Sequence, residues 1–132
     1  MSRLNTPTTI DAAPTATHTS LKAVEKQLGR VPNMFRVVAN SPAALTGYLQ
    51  LSAASAQGGL GTATLERIAL AVAEINGCDY CLAAHSFLGR KVAKLDDAEL
   101  TANRSGASND PKADAAVRFA AAVVRQRGQV SN

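Results

Sequence analysis

Glu66-Arg67-Ile68-Ala69-Leu70-Ala71-Val72-Ala73-Glu74-Ile75-Asn76-Gly77-Cys78-Asp79-Tyr80-Cys81-Leu82-Ala83-Ala84-His85 is the stretch that decides how this chain folds. Together with the preceding Leu65, its first half sets Ile68, Ala69, Val72, Ala73 and Asn76 at the i, i+3, i+4, i+7 spacing of a core-facing helical stripe. Gly77 breaks that period, and a second helix over about residues 78–94 turns the pair into an αα-hairpin. Both cysteines and one of the two histidines of the chain fall in the eight residues 78–85, at the start of that second helix. Chemistry, if the chain performs any, is expected there.

Helix geometry orders these groups. At about 100° and 1.5 Å per residue, His85 lies roughly 40° around the helix from Cys81 and about 6 Å along it. It is therefore placed to serve Cys81 as a base or an imidazolium partner. Cys78 lies about 10 Å from His85 along the axis but reaches Cys81 across one turn, which suits a dithiol that cycles to a disulfide. A competing argument favours Cys78, because it stands nearer the helix N-terminus, where free N–H groups and the macrodipole stabilise a thiolate. Spacing leaves the two thiols unranked. Folding at Gly77 sets residues equidistant from it side by side, so Glu66 is level with Leu88, less than one turn from His85, and Glu74 is level with Tyr80. Glu66 is the preferred partner of the imidazole, which it would orient, and Glu74 is its competitor.

Outward from this stretch, composition points the same way. Hydrophobic residues make up 46% of the 132, aromatics only 4%, and the apolar content is mainly Ala, Leu and Val, which favours closely packed helices. The fold class expected is all-α, in one domain able to bury roughly two-thirds of the surface of its unfolded chain. Fourteen Lys+Arg against ten Asp+Glu give a net charge of +4, spread along the chain, and with so few aromatics to stack on bases nucleic-acid binding is not expected. No apolar run approaches the roughly 18 to 20 residues of a membrane span, so no membrane role is expected. The first 20 residues are rich in Thr, Ala and Pro and hold no apolar signal-peptide core, so a cytoplasmic location follows. In that compartment a thiol pair is catalytic or metal-binding more often than a structural staple.

Residues 1–18 carry two prolines and no sustained period and read as an extended arm or mobile tail, with His18 given no role; residues 19–132 form the helical domain. Ser20 caps a short amphipathic helix with apolar residues at 21, 24 and 28 and a stop at Gly29. A segment restarts after Pro32, and Ser41-Pro42 opens a helix to about Gln57. Thr62 or Thr64 opens the stripe-bearing helix. Asp96-Asp97-Ala98-Glu99-Leu100 reads as a short capped helix with acids in its first turn, and Asp110-Pro111 caps a last helix to Arg127. Val130-Ser131-Asn132 resembles the approach to another N-cap, so the C-terminus either frays or lacks helices of a longer native chain.

Glu66, then Cys78-Asp79-Tyr80-Cys81, then His85 four residues on, resembles the Glu…Cys-x-x-Cys-x-x-x-His signature of the AhpD-like alkylhydroperoxidases in the carboxymuconolactone decarboxylase superfamily. Val31-Pro32-Asn33-Met34-Phe35-Arg36 and Asn40-Ser41-Pro42 also look like its uncharacterised peroxidase-related branch, and the likeness spans residues 20–128. The resemblance implies an AhpD-like helical bundle whose central αα-hairpin carries the Cys pair, assembly into homo-oligomers (trimers or hexamers), and cofactor-free, metal-free reduction of a hydroperoxide. The pair would be restored by an external dithiol reductant of lipoyl or thioredoxin type. By position, Cys81 would be the peroxidatic thiol, Cys78 the resolving thiol, and His85 and Glu66 the proton-relay members. Tyr80 departs from the pattern, standing where the best-studied members have a second relay histidine. The family also usually extends several tens of residues beyond the equivalent of Asn132.

Blander readings stand beside this one. The cysteines would serve as small buried hydrophobes in an inert core, and Cys78, Cys81 and His85 would supply three ligands of a zinc site, which needs a fourth that has no motif spacing. A lactone decarboxylase or isomerase, and a non-catalytic helical module that senses oxidation, are the alternative functions.

Overall fold

The structure, a computed structural model, describes residues 3–131, and among them every regular element is helical. Met1 and Ser2 of the expected arm and Asn132 at the expected C-terminal approach lie outside the described residues. The chain divides into two compact units, residues 1–55 and 56–132.

In the first unit Ala13 N–H donates to Ile10 O, and a single 3₁₀ turn, Thr15–Thr17, leads directly into α1 (His18–Leu28). The helix therefore starts two residues before Ser20, and His18 Nε2 lies 2.9 Å from Ala13 O. Gly29, at φ 74°, ends α1. α2 (Asn33–Val38) follows the extended Pro32, and α3 (Pro42–Ala56) starts where Ser41 Oγ accepts from Ala44 N–H. Leu21, Val31, Ala39 and Leu45 form the core with Ala13, and Phe35 meets Tyr48 edge to face at 5.8 Å. Such a pair adds to burial because the edge of one ring carries positive charge and the face of the other negative.

The second unit is built on α4 (Thr62–Ile75), which packs against α5 (Asp79–Lys91), α6 (Asp97–Arg104) and α7 (Pro111–Arg125). Leu70, Ala71 and Ala73 of α4 are buried, as are Val117 and Ala121 of α7. The alanines among these positions let the helices approach closely. Gly89 shows how closely, since a Cβ there would stand 2.9 Å from Leu100 Cδ2.

The turn between α4 and α5 has a specific construction. Gly77 adopts φ +61°, Cys78 N–H donates to Ala73 O at 3.0 Å, and Gly77 N–H donates to Glu74 O at 3.1 Å. This is a Schellman motif, in which a left-handed residue lets two N–H groups satisfy the last carbonyls of the helix. Its final residue, Cys78, is at once the N-cap of α5. One cysteine thus ends one helix of the hairpin and begins the other.

α5 is shorter than its sequence suggests and stops at Lys91 instead of near Lys94. Lys94 turns left-handed at φ 56°, Leu95 N–H bonds to Gly89 O, and the Leu95 side chain enters the core with Leu70 and Leu100. Burying that leucine outweighs another helical turn. Asp96 then caps α6, its side chain accepting from Glu99 N–H at 2.8 Å.

Candidate active site

Cys78 and Cys81 are joined by a disulfide, with their Cα atoms 5.3 Å apart. Cys78 Sγ also accepts from Cys81 N–H at 3.3 Å, so the sulfur fills the place a serine or aspartate oxygen takes at other N-caps. A negative charge forming on that sulfur is met by this N–H and by the positive end of the α5 dipole.

His85 lies one turn after Cys81, and its Nδ1 is 2.8 Å from Glu66 Oε2. Glu66 is on α4, so the contact bridges the hairpin at the level anticipated by counting from Gly77. The side chains are 33% and 15% exposed respectively. With Nδ1 held by the carboxylate, Nε2 is the nitrogen free for other partners, and a ring so held has a fixed tautomer and orientation. Glu74 goes elsewhere, to Arg104 Nε at 2.6 Å. Tyr80 is 54% exposed and its side chain makes no hydrogen bond to the described residues.

Cys78, Cys81 and His85 line one pocket of about 210 Å³. The remaining lining comes from one face of α4 and its C-cap: Ala69, Val72, Ala73 and Asn76. These are four members of the stripe that identifies the helix in the sequence, so part of that stripe faces the pocket. Asn76 is the one polar residue of that lining and was recognisable only as the last member of the stripe.

A second polar network surrounds the residue next to Glu66. Arg67 Nε donates to Glu99 Oε1 at 2.6 Å, and Glu99 also accepts from Asn103 Nδ2, Ser108 Oγ and Asn109 N–H. Burial pushes the Glu99 carboxyl up, but the hydrogen bonds from Ser108, Asn103, Arg67 and Asn109 prevail and hold it down at about 2. Glu99 read only as a first-turn acid of α6, because its partners lie on elements that sequence spacing does not bring together. Among the described residues no group of three or more His, Cys, Asp or Glu is arranged to hold a metal ion, and no helix is long and apolar enough to cross a membrane.

An all-helical chain with a Cys-x-x-Cys pair at the head of the second hairpin helix, and a Glu–His pair across the hairpin, defines a class of helical proteins with a disulfide-capable site. The family model for the carboxymuconolactone decarboxylase family matches residues 41–122, and the chain belongs to that family, within the AhpD-like superfamily. No curated protein matches the chain.

Proposed function

We propose that this chain is a thiol-dependent hydroperoxide reductase that cycles through the Cys78–Cys81 disulfide. The observation that carries this reading is the shared pocket, where the sulfur pair meets an imidazole already oriented by a carboxylate. Inert packing has no use for that combination, since His85 and Glu66 are both partly open to solvent.

In the reduced protein the Cys81 thiolate attacks the terminal oxygen of the hydroperoxide. The O–O bond breaks, Cys81 becomes a sulfenic acid, and the alkoxide takes a proton from the His85 imidazolium. The Cys78 sulfur then attacks the sulfenic sulfur, the S–O bond breaks, and the departing hydroxide takes the proton of the Cys78 thiol, which forms the disulfide and releases water. An external dithiol reduces the disulfide to two thiols and leaves as its own disulfide, in two exchange steps. Cys78 suits the resolving role because it reaches Cys81 through the cap of α5. Glu66 acts through His85 by fixing the ring, and Tyr80 takes no part in this relay.

The test is titration of free thiols against added peroxide, with mass mapping of the product and turnover followed under a supplied dithiol. Two thiols are expected to be lost per peroxide, and Cys81→Ser is expected to abolish turnover. Undiminished turnover in that variant would end this reading. Thiol-independent conversion of a carboxylated lactone would move the function to the decarboxylase chemistry in the family's name. Disulfide formation without turnover would make the protein a redox sensor.

A further inference from the structure

We infer that Asn76 binds the hydroperoxide, its carboxamide N–H donating to the oxygen that leaves when Cys81 attacks; this rests on the peroxide-reducing reading above. Asn76 caps the C-terminus of α4, is exposed, and lines the pocket together with Cys78, Cys81 and His85. The other α4 residues that line the pocket, Ala69, Val72 and Ala73, have no polar side-chain atom, so Asn76 is the one α4 lining residue with a side chain able to hydrogen-bond. That carboxamide makes no hydrogen bond to any described residue, although its backbone N–H is held by Val72 O at 3.0 Å. The Schellman turn immediately after it fixes where the residue stands relative to Cys78.

The chemistry calls for such a group. As the sulfur–oxygen bond forms and the O–O bond breaks, negative charge gathers on the departing oxygen, and a donor already in place lowers the cost of that charge. His85 is the only other pocket side chain, apart from the two sulfurs, that has a polar donor. An amide has two N–H donors and never ionises in the working pH range, so it holds the oxygen without competing for the proton that His85 transfers.

The experiment compares two reactions of the pre-reduced protein: thiol loss to hydrogen peroxide and to tert-butyl hydroperoxide, and alkylation by iodoacetamide. Asn76→Ala is expected to slow both peroxide reactions about tenfold, the worth of one neutral hydrogen bond, and to leave alkylation and the thermal midpoint unchanged. Asn76→Leu, which keeps the bulk and removes the amide, is expected to match it. Equal slowing of peroxide and iodoacetamide would show an effect on the thiol itself, and normal peroxide rates in either variant would show that the amide does not touch the peroxide; both overturn the inference while leaving the peroxidase reading in place. Wild-type thiols inert to peroxide would overturn both.

Discussion

Glu66 and Arg67 are consecutive residues of α4, yet one ends in a half-open pair and the other at a carboxylate with four donors. Glu66 meets His85 through one contact, and both side chains keep some exposure, 15% and 33%. Arg67 meets Glu99 with side chains only 11% and 8% exposed, and the Glu99 carboxylate accepts from three further donors. The saturated carboxylate has nothing left to offer a ligand, whereas the pair at His85 leaves a ring nitrogen free beside the two sulfurs. Incomplete hydrogen bonding next to a pocket is thus what supports the chemistry proposed at His85. Completed bonding around Glu99 is what holds α4, α6 and the segment before α7 together.

The largest effect is expected from Glu99. Glu99→Ala leaves Arg67 buried beside an empty site, and breaking a buried pair in this way costs roughly 3–5 kcal/mol, read as a fall in the urea unfolding free energy. Acid makes the same test without a substitution. The folded carboxyl sits at about 2, below its ordinary 4.5, so its stabilisation is fully present above about pH 4.5 and is lost as pH falls towards 2. A shift of that size corresponds to about 3 kcal/mol. Glu99→Gln is expected to flatten the fall in stability between pH 5 and pH 2 by about that amount; an unchanged slope would remove the contrast with Glu66.

The two networks also differ in how far the sequence discloses them. Counting outward from Gly77 sets Glu66 beside His85, because a hairpin with a one-glycine break carries its register in the sequence. The stripe from Leu65 to Asn76, the caps at Asp96 and Asp110, and the Pro at the start of α7 were legible for the same local reason. Glu99 is not, since Arg67 is 32 residues away and Ser108 and Asn109 lie between α6 and α7, outside any periodic pattern. Their meeting depends on how α6 docks on α4, which no spacing rule encodes. α5 ends three residues before the end its sequence predicts, because the core position of Leu95 overrides a locally acceptable helix.

Glu66 itself is expected to affect rate far more than stability. Glu66→Gln keeps the shape and one oxygen for Nδ1 but removes the charge that balances a protonated ring. General acid participation is typically worth about 100-fold or more, and weakening its orienting partner is expected to cost about tenfold in the peroxide reaction. The urea midpoint at pH 7 should hardly move, because the pair is partly solvated. A large loss of stability with an unchanged rate would make Glu66–His85 a second structural link and erase the distinction from Arg67–Glu99.

The smallest effect is expected at Glu74, and it sharpens the comparison by control. By the hairpin count Glu74 stands level with Tyr80, on the same helix as Glu66, and both carboxylates qualified as partners of the imidazole. The structure separates them: Arg104 of α6 takes Glu74 through its Nε at 2.6 Å, with the two side chains 51% and 39% exposed. Exposed ion pairs of this kind contribute little, because water screens the attraction and ordering two long side chains costs entropy. Glu74→Ala is therefore expected to leave both the urea midpoint and the peroxide rate at wild-type values. Glu66→Gln and Glu74→Ala remove equal formal charge from the same helix, so a slowing seen only in the first isolates the contact with His85 from the general field. Equal slowing in both would mean that the field of α4, and not the oriented ring, sets the rate.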